Sequence, residues 1–299
     1  IQCRTRFIIL NCLNSSIINK VSEAQYSLIS VLPALIWSIV PIVYKDYLFS
    51  NSTFTVNFYR MLFASLALSI PFIIFGFNEG IIYGMLSGIL TLAIGDTFYL
   101  FAIRKIGASI ATPISYTYVF FSQIAAFLLG EKITFLYFIS SFLIIFGVFL
   151  FSKGDKTEKR LAGIFLSLLA ATFWTLGQSM IRLATVYNMN PISIAFTRTS
   201  SACLVLGIIS TLKNRSLKIN SSIKGKIILA LASISDLALG SSLFILSIAL
   251  AGLGITIIVT SLSPLFTQLI AKISGRESPR RKDILGGIFI VSALIISFI

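Results

Sequence analysis

The sequence predicts an all-α integral membrane protein of ten transmembrane helices in two inverted five-helix repeats. Three observations predict it. Hydrophobic residues fill 57% of the 299 positions and charged ones 11%, with a mean hydropathy of +0.96, whereas a soluble domain carries about 25% charge. The apolar residues gather into ten runs near membrane-crossing length. The first five runs and the last five carry matching residues in matching order. A water-soluble chain is excluded.

The runs cover about 26–44, 57–76, 81–103, 108–129, 133–152, 161–181, 192–212, 226–248, 253–273 and 284–299. Roughly 20 apolar residues span a bilayer, so nine are long enough, and the tenth is either a short terminal span or a span short of a few residues. In hydrocarbon every backbone N–H and C=O must find a partner inside its own helix or in a closed barrel. Runs this long without apolar/polar alternation select helices over barrel strands. Residues 1–25 hold only a weak apolar stretch, Phe7 to Leu13 behind Arg4 and Arg6, at the lower limit of signal-peptide length; they are set apart as a poorly defined leader. The basic linker 153–160 divides the remainder into 26–152 and 161–299.

The formal charge is +14. In a soluble protein that would point to nucleic acid, but here the basic residues sit in short gaps between apolar runs, where membrane orientation is the usual cause. No nucleic-acid partner is expected. The chain has no histidine, and Cys3, Cys12 and Cys203 have no paired spacing, so zinc sites and Cys/His or Ser/His nucleophiles lack their parts. No metal, cofactor or enzymatic activity is expected.

The halves repeat. A shift of 137 or 138 residues lays Trp37 on Trp174 and Arg60 on Arg198, and a shift of 146 lays Ser115 on Ser261 and Glu131 on Glu277. Five helices per repeat, an odd number, make the second copy enter from the opposite side. Lys and Arg test this. One face collects three in the first half (Lys45, Arg104, Lys105), four in the linker and ten in the loops near 213–226 and 272–282; outside the leader, the other face has only Lys132 and Arg182. By the positive-inside rule the rich face is cytoplasmic, which places both termini outside.

Several stretches carry a family likeness: Ala34-Leu-Ile-Trp37, Phe58-Tyr-Arg60, Gly95-Asp-Thr-Phe-Tyr-Leu-Phe-Ala-Ile-Arg-Lys-Ile-Gly-Ala108 and Phe127-Leu-Leu-Gly-Glu131. Their second-half matches are Phe173-Trp174, Arg198, Ser235-Asp-Leu-Ala-Leu-Gly-Ser-Ser-Leu-Phe244 and Ser261-Leu-Ser-Pro264. In these the chain resembles the drug/metabolite transporter superfamily, in its ten-helix branch of two EamA domains, over roughly 26–299. Tyr118 departs from the pattern by standing where the family places a proline opposite Pro264. The resemblance implies a carrier of a small organic metabolite, such as an amino acid or a toxic compound, commonly exported, with a multi-pass place in the cell membrane. It also implies cytoplasmic termini, against the charge count, which is kept here.

Four charged residues fall well inside runs: Arg60, Asp96, Arg198 and Asp236. A charge at mid-bilayer costs about 3 kcal/mol on insertion scales, so the default reading is a bundle-facing functional group. Asp236, with Ser233 and Gly240 on its helical face, is the leading candidate for proton coupling or for binding a cationic group; Asp96, with Tyr99 at i+3, follows. Arg198 would pair with a buried acid or hold an anionic substrate, and Arg60 would do the same or snorkel to the interface. Trp37, Trp174, Tyr99 and Tyr116 would shape an amphipathic cavity. Thr256, Thr260, Ser263 and Thr267 form a hydroxyl stripe that either lines a wet path or joins helix to helix. Glu131 and Glu277, beside basic residues, read as interfacial ion pairs.

The expected function is a secondary transporter of a small-molecule substrate in a lipid bilayer, working by alternating access at a mid-membrane site, as a monomer or homodimer. The rivals are a channel or scaffold and, more distantly, an intramembrane aspartyl protease built on Asp96 and Asp236.

Overall fold

A computed structural model describes residues 25–151, 158–214, 217–273 and 281–298. The leader up to residue 24, linker residues 153–157 and Glu277 lie outside these. Every element among the described residues is helical, with no strand. The helices are α1 (Gln25–Leu48), α2 (Thr53–Phe75), α3 (Ile81–Ile106), α4 (Ala108–Ser115), α5 (Tyr118–Leu128), α6 (Phe135–Phe151), α7 (Glu158–Val186), α8 (Pro191–Asn214), α9 (Ile223–Ala251), α10 (Leu253–Thr260), α11 (Ser263–Ile273) and α12 (Arg281–Ser297). Among these, α1, α2, α3, α7, α8 and α9 are long and apolar enough to cross a membrane. Outward faces are apolar, as Ile70 and Ile73 on α2 and Leu204 and Ile208 on α8 illustrate. The protein is a multi-pass membrane protein.

Two of the ten apolar runs are interrupted. The run 108–129 breaks at Tyr116 and Thr117, and the run 253–273 at Ser261 and Leu262. Pro264 explains the second break, because its ring would meet the carbonyl of Thr260 in a continuous helix. The first has no proline at the corresponding place. Helix α2 also starts four residues before the run that predicted it. Its first turn carries Thr53 and Thr55, which lower the hydropathy although both are buried and Thr55 meets Ser210 at 3.0 Å.

The third helix of each half changes winding midway. Residues Gly88–Gly95 of α3 and Ile234–Gly240 of α9 are π-helical, a widened turn frequent at functional sites. After each comes an eleven-residue α-helical stretch, Asp96–Ile106 and Ser241–Ala251, ended by a glycine with positive φ, Gly107 at 80° and Gly252 at 93°. These two glycines supply a left-handed turn that other residues resist.

Packing crosses between the halves. Helix α3 lies against α7 and α8, and α9 lies against α1 and α2. Gly88 lets α8 approach so closely that a methyl group there would collide with the Arg198 carbonyl, a small-residue contact typical of membrane helices. At one end of the bundle Asn51 bonds to Asn220 and Tyr47 to the Gly225 carbonyl. At the other, Asn78 bonds to the Tyr187 carbonyl and Glu131 to the amides of Leu253 and Gly254.

Candidate functional site

A cavity of about 90 Å³ lies in the middle of the bundle, lined by residues of α1, α2, α3, α4, α5, α7, α8 and α9. Both tryptophans of the chain, Trp37 and Trp174, are in its wall. So are all four charged residues that the sequence places inside runs.

Arg60, the eighth residue of α2, is 4% exposed. Its Nη2 donates to Asp96 Oδ2 at 3.0 Å and to Asp236 Oδ2 at 2.9 Å, and its Nη1 donates to Asn57 Oδ1 at 2.8 Å. The guanidinium carbon sits 4.3 Å from the centre of the Tyr44 ring, within range for a cation–π contact. Arg60 therefore does not snorkel: its helix begins four residues earlier than the apolar run, which sinks it a full turn deeper. One cation joins an acid from the first half to an acid from the second.

Each acid has further donors. The Tyr44 hydroxyl donates to Asp236 Oδ2 at 2.8 Å, and Trp174 Nε1 donates to Asp96 Oδ1 at 2.9 Å. Charge-assisted bonds of this kind are about twice as strong as neutral ones. Carbonyls of the π-helical stretches join the same network. Trp37 Nε1 donates to the Asp236 carbonyl at 3.4 Å, and Asn57 Nδ2 donates to the Leu92 carbonyl at 2.9 Å. Gly95 and Gly240 make room for the indoles, as a methyl at either would press on Trp174 or Trp37.

Arg198, the eighth residue of α8, is 2% exposed. Its Nη1 donates to Ser241 Oγ at 2.7 Å, its Nε has no partner, and among the described residues no carboxylate comes within 4.0 Å. Tyr99 and Tyr116 both line the cavity, with the Tyr99 hydroxyl 2.6 Å from Thr112 Oγ1.

Thr260 and Ser263 are buried but do not line the cavity. The break between α10 and α11 divides the predicted stripe. Thr260 bonds to the Ile257 carbonyl and lies 3.5 Å from the Tyr118 hydroxyl, Thr267 bonds to the Ser263 carbonyl, and Thr256 meets Ser247 of α9 at 3.0 Å. Glu131 does pair with a basic residue, Arg182 Nε at 2.8 Å. It also accepts from the first two amides of α10 at 2.7 and 3.0 Å, capping that helix start from the opposite half.

Sequence reasoning missed Tyr44, Asn57, Thr91, Tyr118, Gln178 and Ser241. Tyr44 had a signal, since Trp37, Pro41 and Tyr44 share one face of α1 at spacings of four and three. Asn57 likewise precedes Arg60 by one turn.

Residues 25–153 and 161–299 each match the EamA-like transporter family. An uncharacterized transporter of Archaeoglobus fulgidus is 28% identical over 281 residues, covering 90% of this chain and 96% of that one. A solved crystal structure shares the fold with a TM-score of 0.74 at 13% identity, over 91% of this chain and 96% of its own. On the strength of both matched stretches, the chain belongs to the EamA-like transporter family.

Proposed function

We propose that this protein is a secondary carrier that moves a small organic metabolite across the cell membrane by alternating access through the central cavity. The two units are 26–152 and 161–299, five helices each and inverted relative to one another, with the basic end of the bundle cytoplasmic. The observation that carries the reading is the Arg60 bridge. Its contact with Asp96 stays within one unit, whereas its contact with Asp236 joins the two. Rocking one unit against the other keeps the first pair and stretches the second, so Asp236 loses its cation in one orientation and takes a proton in its place. A group that exchanges a cation for a proton as the cavity changes sides is a coupling device.

The protease reading fits less well. An aspartyl dyad shares one proton between facing carboxylates, and here the Arg60 guanidinium donates to both and fills that place. A carrier also accounts for the cavity being built from both units, which a scaffold does not need. The test is Asp236→Asn in proteoliposomes. The variant is expected to lose proton-driven accumulation of solute while still exchanging it down its gradient. Flux that remains unchanged and proton-dependent would refute the coupling role.

A further inference from the structure

We propose that Arg198 is the docking point for the anionic group of the substrate, and that the substrate is a small organic monoanion with a flat apolar body. The inference rests on reading the cavity as the substrate site and adds to it the chemical class of what enters. A buried charge without a partner is costly, and such groups are normally paired. Arg198 breaks that rule. It is as buried as Arg60, it has one hydroxyl partner, and its Nε faces no acceptor. Three more polar atoms of cavity-lining residues, Arg60 Nε, Thr91 Oγ1 and Gln178 Oε1, are buried and unpartnered as well. What sets Arg198 apart from Arg60 is the lack of a carboxylate: a buried guanidinium in a cavity wall whose hydrogen-bond partner is one hydroxyl is suited to an anion that enters the cavity.

The register of the two halves shows which residue faces each arginine. The stretches Asp96–Ile106 and Ser241–Ala251 have equal length, follow Gly95 and Gly240, and end at Gly107 and Gly252. Asp96 thus corresponds to Ser241. Arg60 meets the carboxylate at this position, and Arg198 meets the hydroxyl that replaces it. The anion that Arg198 lacks within the chain is the one a substrate would supply, bidentate guanidinium contacts being suited to carboxylates. Aromatic rings, including Trp37, Tyr116 and Trp174, stand in the same wall and would stack on a planar body.

The test uses the purified full chain in detergent, with its own fluorescence as readout, because both tryptophans line the cavity. Benzoate is titrated against benzamide, its neutral counterpart. Benzoate should quench the fluorescence with an affinity at least about tenfold above that of benzamide. Arg198→Gln should weaken benzoate about tenfold or more and leave benzamide within about twofold. Ser241→Asp, which restores an internal carboxylate, should do the same, so the proposal stays testable if either variant misfolds. Equal binding of benzoate and benzamide, absence of benzoate binding, or full benzoate affinity in both variants would overturn it. The carrier reading fails separately: Arg198-dependent benzoate binding with no solute flux in proteoliposomes would remove transport and leave this site, whereas flux of a neutral solute without benzoate binding would do the reverse.

Discussion

Arg60 and Arg198 occupy corresponding places in the two halves. Each is the eighth residue of its helix, each is almost wholly buried, and each faces the residue that follows a π-helical stretch. At that facing position stands Asp96 in one half and Ser241 in the other. With a carboxylate at that position Arg60 sits in an ionic cluster, and with a hydroxyl there Arg198 does not. The lesson is that the arginine does not determine its own role; the partner opposite does. Arg60 also holds a second acid, Asp236, from the other half, so one arginine contacts both internal acids and the other contacts neither.

The comparison breaks first at Arg60. Arg60→Gln leaves Asp96 and Asp236 buried side by side with no cation, and removal of one partner from a buried ion pair costs about 3–5 kcal/mol. A large fall in thermal unfolding temperature is expected for the purified protein. A melting point equal to the parent's would mean that the two acids do not depend on Arg60 and that the halves differ less than their contacts imply. Tyr44→Phe is the next probe. It deletes one hydroxyl that donates to Asp236 while keeping the ring under the Arg60 guanidinium. A hydrogen bond to a charged group contributes about 1.5–3 kcal/mol, so the loss should lie below that of Arg60→Gln. An equal or larger loss would shift the weight of the cluster from the cation to the tyrosine.

Much of this was legible in the residues. The apolar runs marked where the helices lie, because burial in lipid demands hydrocarbon at nearly every position of a span. The rarity of charge within those runs marked Arg60, Asp96, Arg198 and Asp236, and all four line one cavity. Other features left no such trace. Thr53 and Thr55 are polar by composition yet buried between helices, so hydropathy began α2 too late and placed Arg60 too near the surface. A π-helical turn changes the facing of every residue after it without changing composition, so the match between Asp96 and Ser241 could not be read from a fixed shift of 137 or 146. Gly95 and Gly240 were the available hints, since only a residue without a side chain lets an indole so close. Hydroxyls are ambiguous in any membrane helix, because they bond equally well to a carbonyl four residues back and to water. In the predicted stripe Thr260 and Thr267 bond to carbonyls three and four residues back, whereas Thr256 meets the Ser247 hydroxyl of α9.

The smallest effect on stability is expected at Arg198, and for that reason it discriminates best. If Arg198 were a structural ion, its loss would resemble that of Arg60. The structure gives it one hydroxyl partner and no carboxylate within 4.0 Å among the described residues, so Arg198→Gln removes an unmet desolvation cost along with one hydrogen bond. Replacement of poorly compensated buried charge by a neutral group is often neutral or stabilising. The two contributions nearly offset, and the unfolding temperature should move by no more than the equivalent of about 1 kcal/mol in either direction. Measured beside Arg60→Gln in the same detergent, the pair of variants isolates what the partner residue contributes, since the two arginines match in burial and in place. Similar large losses from both would show that Arg198 has a counter-charge in the membrane-embedded protein, and the asymmetry between the halves would then be one of geometry and not of charge.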